Sequence, residues 1–160
     1  MNNLRQHIFF IEEIIQKMGI DFAPRRIKKD SIEWEFHRSE SRILMFLRDG
    51  LSKSEDKREI LVITSPVMAV PDENIERKAA FLEKVLVLNH YLVEENLSIS
   101  KRWLFVSNSN YINLLSEEDI TNLLDNVSYY SHKLALQLKT NAKPETAHQQ
   151  RSRLDESSTL

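Results

Sequence analysis

The sequence contains no cysteine. That excludes disulfides, thiol chemistry, zinc fingers and iron–sulfur clusters. Glycine is nearly absent: Gly19 and Gly50 are the two in the chain. Phosphate-cradling loops of the Walker or Rossmann type need several glycines within a few residues, so neither can be built here. No apolar run approaches the roughly 20 residues of a membrane-spanning helix. An excess of one charge is missing too. With 22 basic and 24 acidic residues the net charge is -2, and a near-neutral chain is poorly suited to a phosphate backbone. The segment from Met1 to His7 lacks the layout of a signal peptide, so a cytoplasmic location is the expectation.

What is present is an ordinary globular balance over 160 residues, 41% hydrophobic and 29% charged. This is long enough for one buried core. Leu4 to Met18 predicts a first helix. Leu4, Ile8, Ile11, Ile14, Ile15 and Met18 recur at spacings of three and four, Phe9 and Phe10 widen the stripe, and Gly19 follows as a C-terminal cap. Ser31 to His37 alternates, with Ile32, Trp34 and Phe36 on one side. Ile43 to Leu47 is apolar throughout. With the polar turn Arg38-Ser39-Glu40-Ser41 these two runs make an antiparallel hairpin. Leu51 to Arg58 is a charged loop. Ile60-Leu61-Val62-Ile63 is a central strand that Pro66 and Pro71 should cut short. A weaker strand within Phe22 to Ile27 is interrupted by Pro24.

Asp72 to Leu92 predicts the second helix, with Asp72 as N-cap and Glu73 and Glu76 near its positive end. Ile75, Ala79, Leu82, Leu86 and His90 share one face. Phe81, Val85, Leu88 and Leu92 lie beside it, which implies a wide apolar surface buried on the sheet. Leu97 to Ile99 and Trp103 to Val106 follow as strands around Lys101-Arg102, and Ser107 to Asn113 as polar turns. Ser116 and Asp119 form a capping box for a third helix to Leu138. The fold class is therefore α+β, a twisted antiparallel sheet of about five strands packed by helices in the order α-β-β-β-α-β-β-α. Residues 1–139 form a single domain, and 140–160, without periodicity, a disordered tail.

The stretch Ile60-Leu61-Val62-Ile63-Thr64-Ser65-Pro66-Val67-Met68-Ala69-Val70-Pro71 leads into a helix containing Phe81-Leu82 and ending Leu88-Asn89-His90-Tyr91-Leu92. With the element order, this wording resembles the YbjN family and the wider group of type III secretion chaperone-like proteins. The resemblance implies helices packed on a twisted antiparallel sheet, often as a homodimer, that hold an extended partner segment without enzymatic activity. YbjN-type relatives are mostly regulators or proteins of unknown role. The chain departs from a typical secretion chaperone in being nearly neutral where those are acidic.

No constellation points to catalysis, a cofactor or a metal. His7, His37, His90, His132 and His148 include no pair at the spacing that presents two imidazoles from one helix. His90, near an apolar face, reads as a partly buried histidine. Glu12-Glu13, Glu94-Glu95 and Glu117-Glu118-Asp119 are neighbours in sequence and point different ways on a helix, so they read as solvated charge. Ser65, Ser107 and Ser109 lack a nucleophile-elbow context. The expected function is chaperone- or adaptor-like binding of another protein. Its candidate contact residues are Trp34, Phe36, Leu44, Phe46, Trp103, Tyr129 and Tyr130. All of these also fit core positions, and exposure of Trp34 or Trp103 would favour an apolar docking patch. The alternative is an anion or nucleic-acid patch at Arg25, Arg26, Lys28 and Lys29, joined by Lys101 and Arg102.

Overall fold

The computed structural model describes residues 2–50, 58–72 and 74–139. The charged loop and the tail from residue 140 lie outside the described residues, except for Arg58. Helix α1 spans Asn2–Lys17, and Gly19 follows at φ 67, the left-handed conformation that its missing Cβ permits. Strands β1 (Arg26–Ile27), β2 (Ser31–Arg38), β3 (Ser41–Asp49) and β4 (Glu59–Ala69) precede helix α2 (Ile75–Tyr91). Strands β5 (Asn96–Ser100) and β6 (Trp103–Tyr111), a 3-10 turn over Ile112–Leu114 and helix α3 (Glu117–Lys139) complete the described residues. The six strands form one antiparallel sheet in the order β1-β2-β3-β4-β6-β5. The sixth strand is the two-residue β1, too short to leave an alternation in the sequence.

Burial alternates along the central strands. Ile43, Met45 and Leu47 of β3 are buried, as are Leu61, Ile63 and Ser65 of β4 and Leu104 and Val106 of β6. Helix α3 covers this face, touching β2, β3, β4 and β6. Ser128 and Ser131 are small enough to bring it close. Ser41 Oγ donates to the Ser128 carbonyl at 2.9 Å and Ser65 Oγ to Ser131 Oγ at 2.8 Å. These buried hydroxyls are all satisfied, so they set the helix–sheet register without an orphaned polar group. Helix α1 packs beside α3. Its Glu12 carboxylate accepts from the Trp34 indole at 3.1 Å.

Four expectations need correction. Strand β4 does not stop at Pro66. It continues to Ala69, because a register shift between Pro66 and Met68 absorbs the missing N–H. Ser107 to Tyr111 is strand and not turn: the buried Asn108 side chain donates to the Glu94 carbonyl at 2.9 Å, so a polar residue is accommodated in the ladder. Helix α2 begins after Asn74, whose side chain accepts from the Arg77 N–H at 2.7 Å, while Asp72 pairs with Arg102. That helix is not well buried. Phe81 and Val85 alone are buried, and Ile75, Leu86, Val87 and Tyr91 are exposed. The capping box at Ser116 and Asp119 forms in both directions, at 2.8 and 3.1 Å.

Candidate functional site

Antiparallel pairing sends residues of the opposite parity to the second sheet face. Ladder partners share a face, so that face can be read row by row. Arg48, Ile60 and Tyr111 make one row. Phe46, Val62 and Ser109 make the next, then Leu44, Thr64, Ser107 and Asn96. Pro66, Phe105 and Ser98 follow, and Ala69, Trp103 and Ser100 end the face. The contacts of α1 with Trp34 and of α3 with Ser41 and Ser65 lie on the other side. Phe81 and Val85 of α2 join the same buried cluster. All three described helices therefore pack on one face, and none of them lies on the face carrying Phe46 and Val62. Leu44, Phe46, Val62 and Phe105 are half-buried by their neighbours in the sheet.

Ion pairs border the apolar strip on the β1–β2 side. Arg42 and Arg26 each reach Glu35 at 2.6 Å, and Lys28 reaches the buried Glu33 at 2.7 Å. The Arg42 guanidinium, seconded by Arg26, holds the Glu35 carboxyl below the usual carboxylate range. Hydroxyls and amides border the strip on the β5–β6 side. An apolar centre between a charged rim and a hydroxyl rim is chemistry suited to another polypeptide. Among the described residues no three histidine, aspartate or glutamate side chains converge to hold a metal ion.

No family model matches this sequence. No curated protein matches it either. Solved structures do, among them the crystal structure of an uncharacterized protein from Methanothermobacter thermautotrophicus. The two chains are 14% identical and superpose with a TM-score of 0.58 over 82% of this chain and 95% of that one. At that identity the likeness concerns the fold alone. Among the described residues no helix is long and apolar enough to cross a membrane.

The candidate contact residues separate by sheet face. Trp34 and Phe36 are 1% and 3% exposed and belong to the core beneath the helices, so neither can meet a partner. Their even parity in β2 put them on the covered side. Leu44 and Phe46 alternate with the buried Ile43, Met45 and Leu47 of β3, so they lie on the uncovered face, and so does Trp103, which is 46% exposed. Tyr129 is exposed on α3, with the Lys133 ammonium 5.3 Å from its ring centre. Tyr130 sits edge-on to it and packs on the core.

The basic run is largely neutralised within the chain. Arg25 reaches Glu12 at 2.8 Å, Arg26 bridges to Glu35 and Lys28 to Glu33, leaving exposed Lys29. Three of the four clustered cations are thus ion-paired, Arg26 and Lys28 because β1 lies against Glu33 and Glu35 of β2, and Arg25 through Glu12 of α1. His90 is exposed and not partly buried, edge-on to Tyr91.

Two features escaped the residue pattern. Val62 and Phe105 complete the apolar strip with Phe46. The continuous apolar run Ile43 to Leu47 was the available signal, since a strand apolar on both sides needs two covers. The other is the exposure of Ile75 and Leu86 on α2, whose stripe the sequence pattern places against the sheet.

Proposed function

We propose that this chain is a non-catalytic, chaperone- or adaptor-like module that holds a segment of a partner protein against the uncovered face of its sheet. The observation that carries the reading is the apolar strip of Leu44, Phe46, Val62 and Phe105 on a face that none of the described helices covers. Such a strip offers pockets for alternate side chains of an extended segment. The element order supports kinship with secretion chaperone-like folds, and a cytoplasmic homodimer fits the same reading. For the dimer the relevant surface is α2. Ile75, Ala79, Leu82 and Leu86 follow a four-three-four spacing, the spacing of paired helices, and Ile75 and Leu86 are 87% and 71% exposed.

The test is affinity capture from native lysate with the full chain and with Phe46→Asp, identified by mass spectrometry. Phe46 is half-buried, so circular dichroism should report an intact fold. A stoichiometric partner held by the wild type and lost by the variant supports the reading. A partner retained by Phe46→Asp, or a wild type that captures nothing, ends it.

A further inference from the structure

The turn between β5 and β6 contains Lys101 and Arg102, at φ 48 and 65. Positive φ at both central residues is the pattern of a type I′ hairpin turn, which favours Asn-Gly and disfavours long side chains. The chain nevertheless places two cations there. The conformation is held from outside: the Val70 N–H donates to the Arg102 carbonyl at 2.8 Å, and the Arg102 guanidinium meets Asp72 at 2.9 Å. A locally unfavoured residue pair kept in place by its surroundings is a pointer to function.

What the strained turn presents is two cations beside an indole. The Arg102 side chain is 80% exposed, and its carboxylate partner Asp72 is itself half-exposed and shared with Lys78 at 3.7 Å. Such a pair exchanges readily for a better acceptor. Lys101 is exposed and has no ion pair among the described residues. Trp103, 46% exposed, begins β6 on the uncovered sheet face. This contrasts with Arg25, Arg26 and Lys28, which already hold carboxylates of their own domain.

We infer that the β5–β6 hairpin tip is an anchor for an acidic segment of a protein partner, its carboxylates on Lys101 and Arg102 and an adjacent apolar side chain on Trp103. Guanidinium matches carboxylate in a planar fork, and an exposed indole takes an apolar neighbour. Two cations next to Asp72 are too few to follow a phosphate backbone. They also fall short of the four to eight that mark an anionic-membrane contact. The inference rests on the protein-binding reading above and supplies the chemistry of the partner.

The test uses the full chain and a fluorescein-labelled peptide alternating glutamate with leucine and phenylalanine, beside the same peptide with glutamine for glutamate. Fluorescence anisotropy should favour the glutamate peptide at least tenfold. Lys101→Gln with Arg102→Gln should abolish that preference. Lys101→Asn with Arg102→Gly relieves the turn, so this variant should melt at a higher temperature and yet bind the glutamate peptide at least tenfold more weakly. A turn chosen only for structure would gain stability and keep its affinity, which would overturn the inference. No preference for glutamate in the wild type would also overturn it. Phe46→Asp keeps the two readings apart. If it abolishes binding of both peptides while the tip variants change nothing, the sheet face stands and the tip falls. If neither peptide binds any form, both fall. A 20-nucleotide single strand or phosphatidylserine vesicles that bind through Lys101 and Arg102 better than the peptide would overturn the partner class.

Discussion

Glu95 joins α2 to β5 and is 7% exposed, with its Oε1 buried and without a hydrogen-bond partner. Burial pushes its carboxyl above the usual carboxylate range. A backbone hydrogen bond pulls it back, and neighbouring Glu94 pushes it up again. The folded state therefore holds this proton more tightly than the unfolded chain does. Nothing is lost while the carboxyl is protonated in both states. Stability falls as pH rises through the unfolded value toward the folded one. Glu95→Gln should stabilise the protein at pH 7 by on the order of 1 kcal/mol, the scale of one unsatisfied buried group. Thermal melts should show that gain shrinking toward nothing near pH 4. A gain equal at both pH values would mean that the charge is not its source. Glu35 has the opposite sign: its carboxyl is held down by Arg42 and Arg26, so its contribution is present at neutral pH and lost as pH falls. The left-handed turn residues differ again. Lys101 and Arg102 each cost roughly 1 kcal/mol relative to glycine, a local steric penalty that pH does not touch.

At the scale of elements, α2 differs from its neighbours. Helix α3 buries residues along its whole length, from Ile120 to Leu138. Helix α2 buries Phe81 and Val85, and β5 is the strand it contacts most. Its Asn89 side chain accepts the Leu97 N–H at 2.7 Å, which closes one backbone donor on the edge of β5. That protects the edge against further strand pairing. Ile75, Ala79 and Leu86 remain exposed on this helix, and they are the surface proposed above for a second copy. Leu86→Lys should convert the species seen by light scattering from near twice 18.8 kDa to a monomer. Its melting temperature measured at low concentration should hardly change, because Leu86 is 71% exposed. A variant that keeps the double mass would show that this stripe is not the contact.

For the described residues as a whole, one sheet carries a core on one side and a face without a helix on the other. Strands β3, β4 and β6 lie in the middle of the sheet beneath α3, so they should open only with global unfolding. Strand β1, two residues long at the far edge, and α2 should open locally. Hydrogen exchange should place the slowest amides in β3, β4 and β6 and fast ones in β1. If the wild type dimerises through α2 as proposed, exchange should also be slower in its α2 than in that of Leu86→Lys. Equal exchange of α2 in the two forms would contradict a dimer built on that helix.

The sequence by itself determined what depends on neighbours a few residues apart. The stripe of α1, the capping box at Ser116, the alternation of β2, the β2–β3 hairpin and the apolar periodicity of α3 are all properties of local spacing. The α+β class followed from their order. Tertiary structure decided everything that depends on what lies opposite. Trp34 and Phe46 are both strand aromatics, and only the pairing of β2 with β3 and the side taken by α1 and α3 separate core from open face. The cations around Arg26 stand together in sequence, yet the glutamates of β2 that neutralise them arrive through strand pairing. Helix α2 carries two apolar stripes, and a stripe does not record which of them the chain itself will cover. Burial is a relation between segments distant in the sequence, which is why local periodicity named Leu44, Phe46 and Trp103 but left their exposure, and the company of Val62 and Phe105, to the fold.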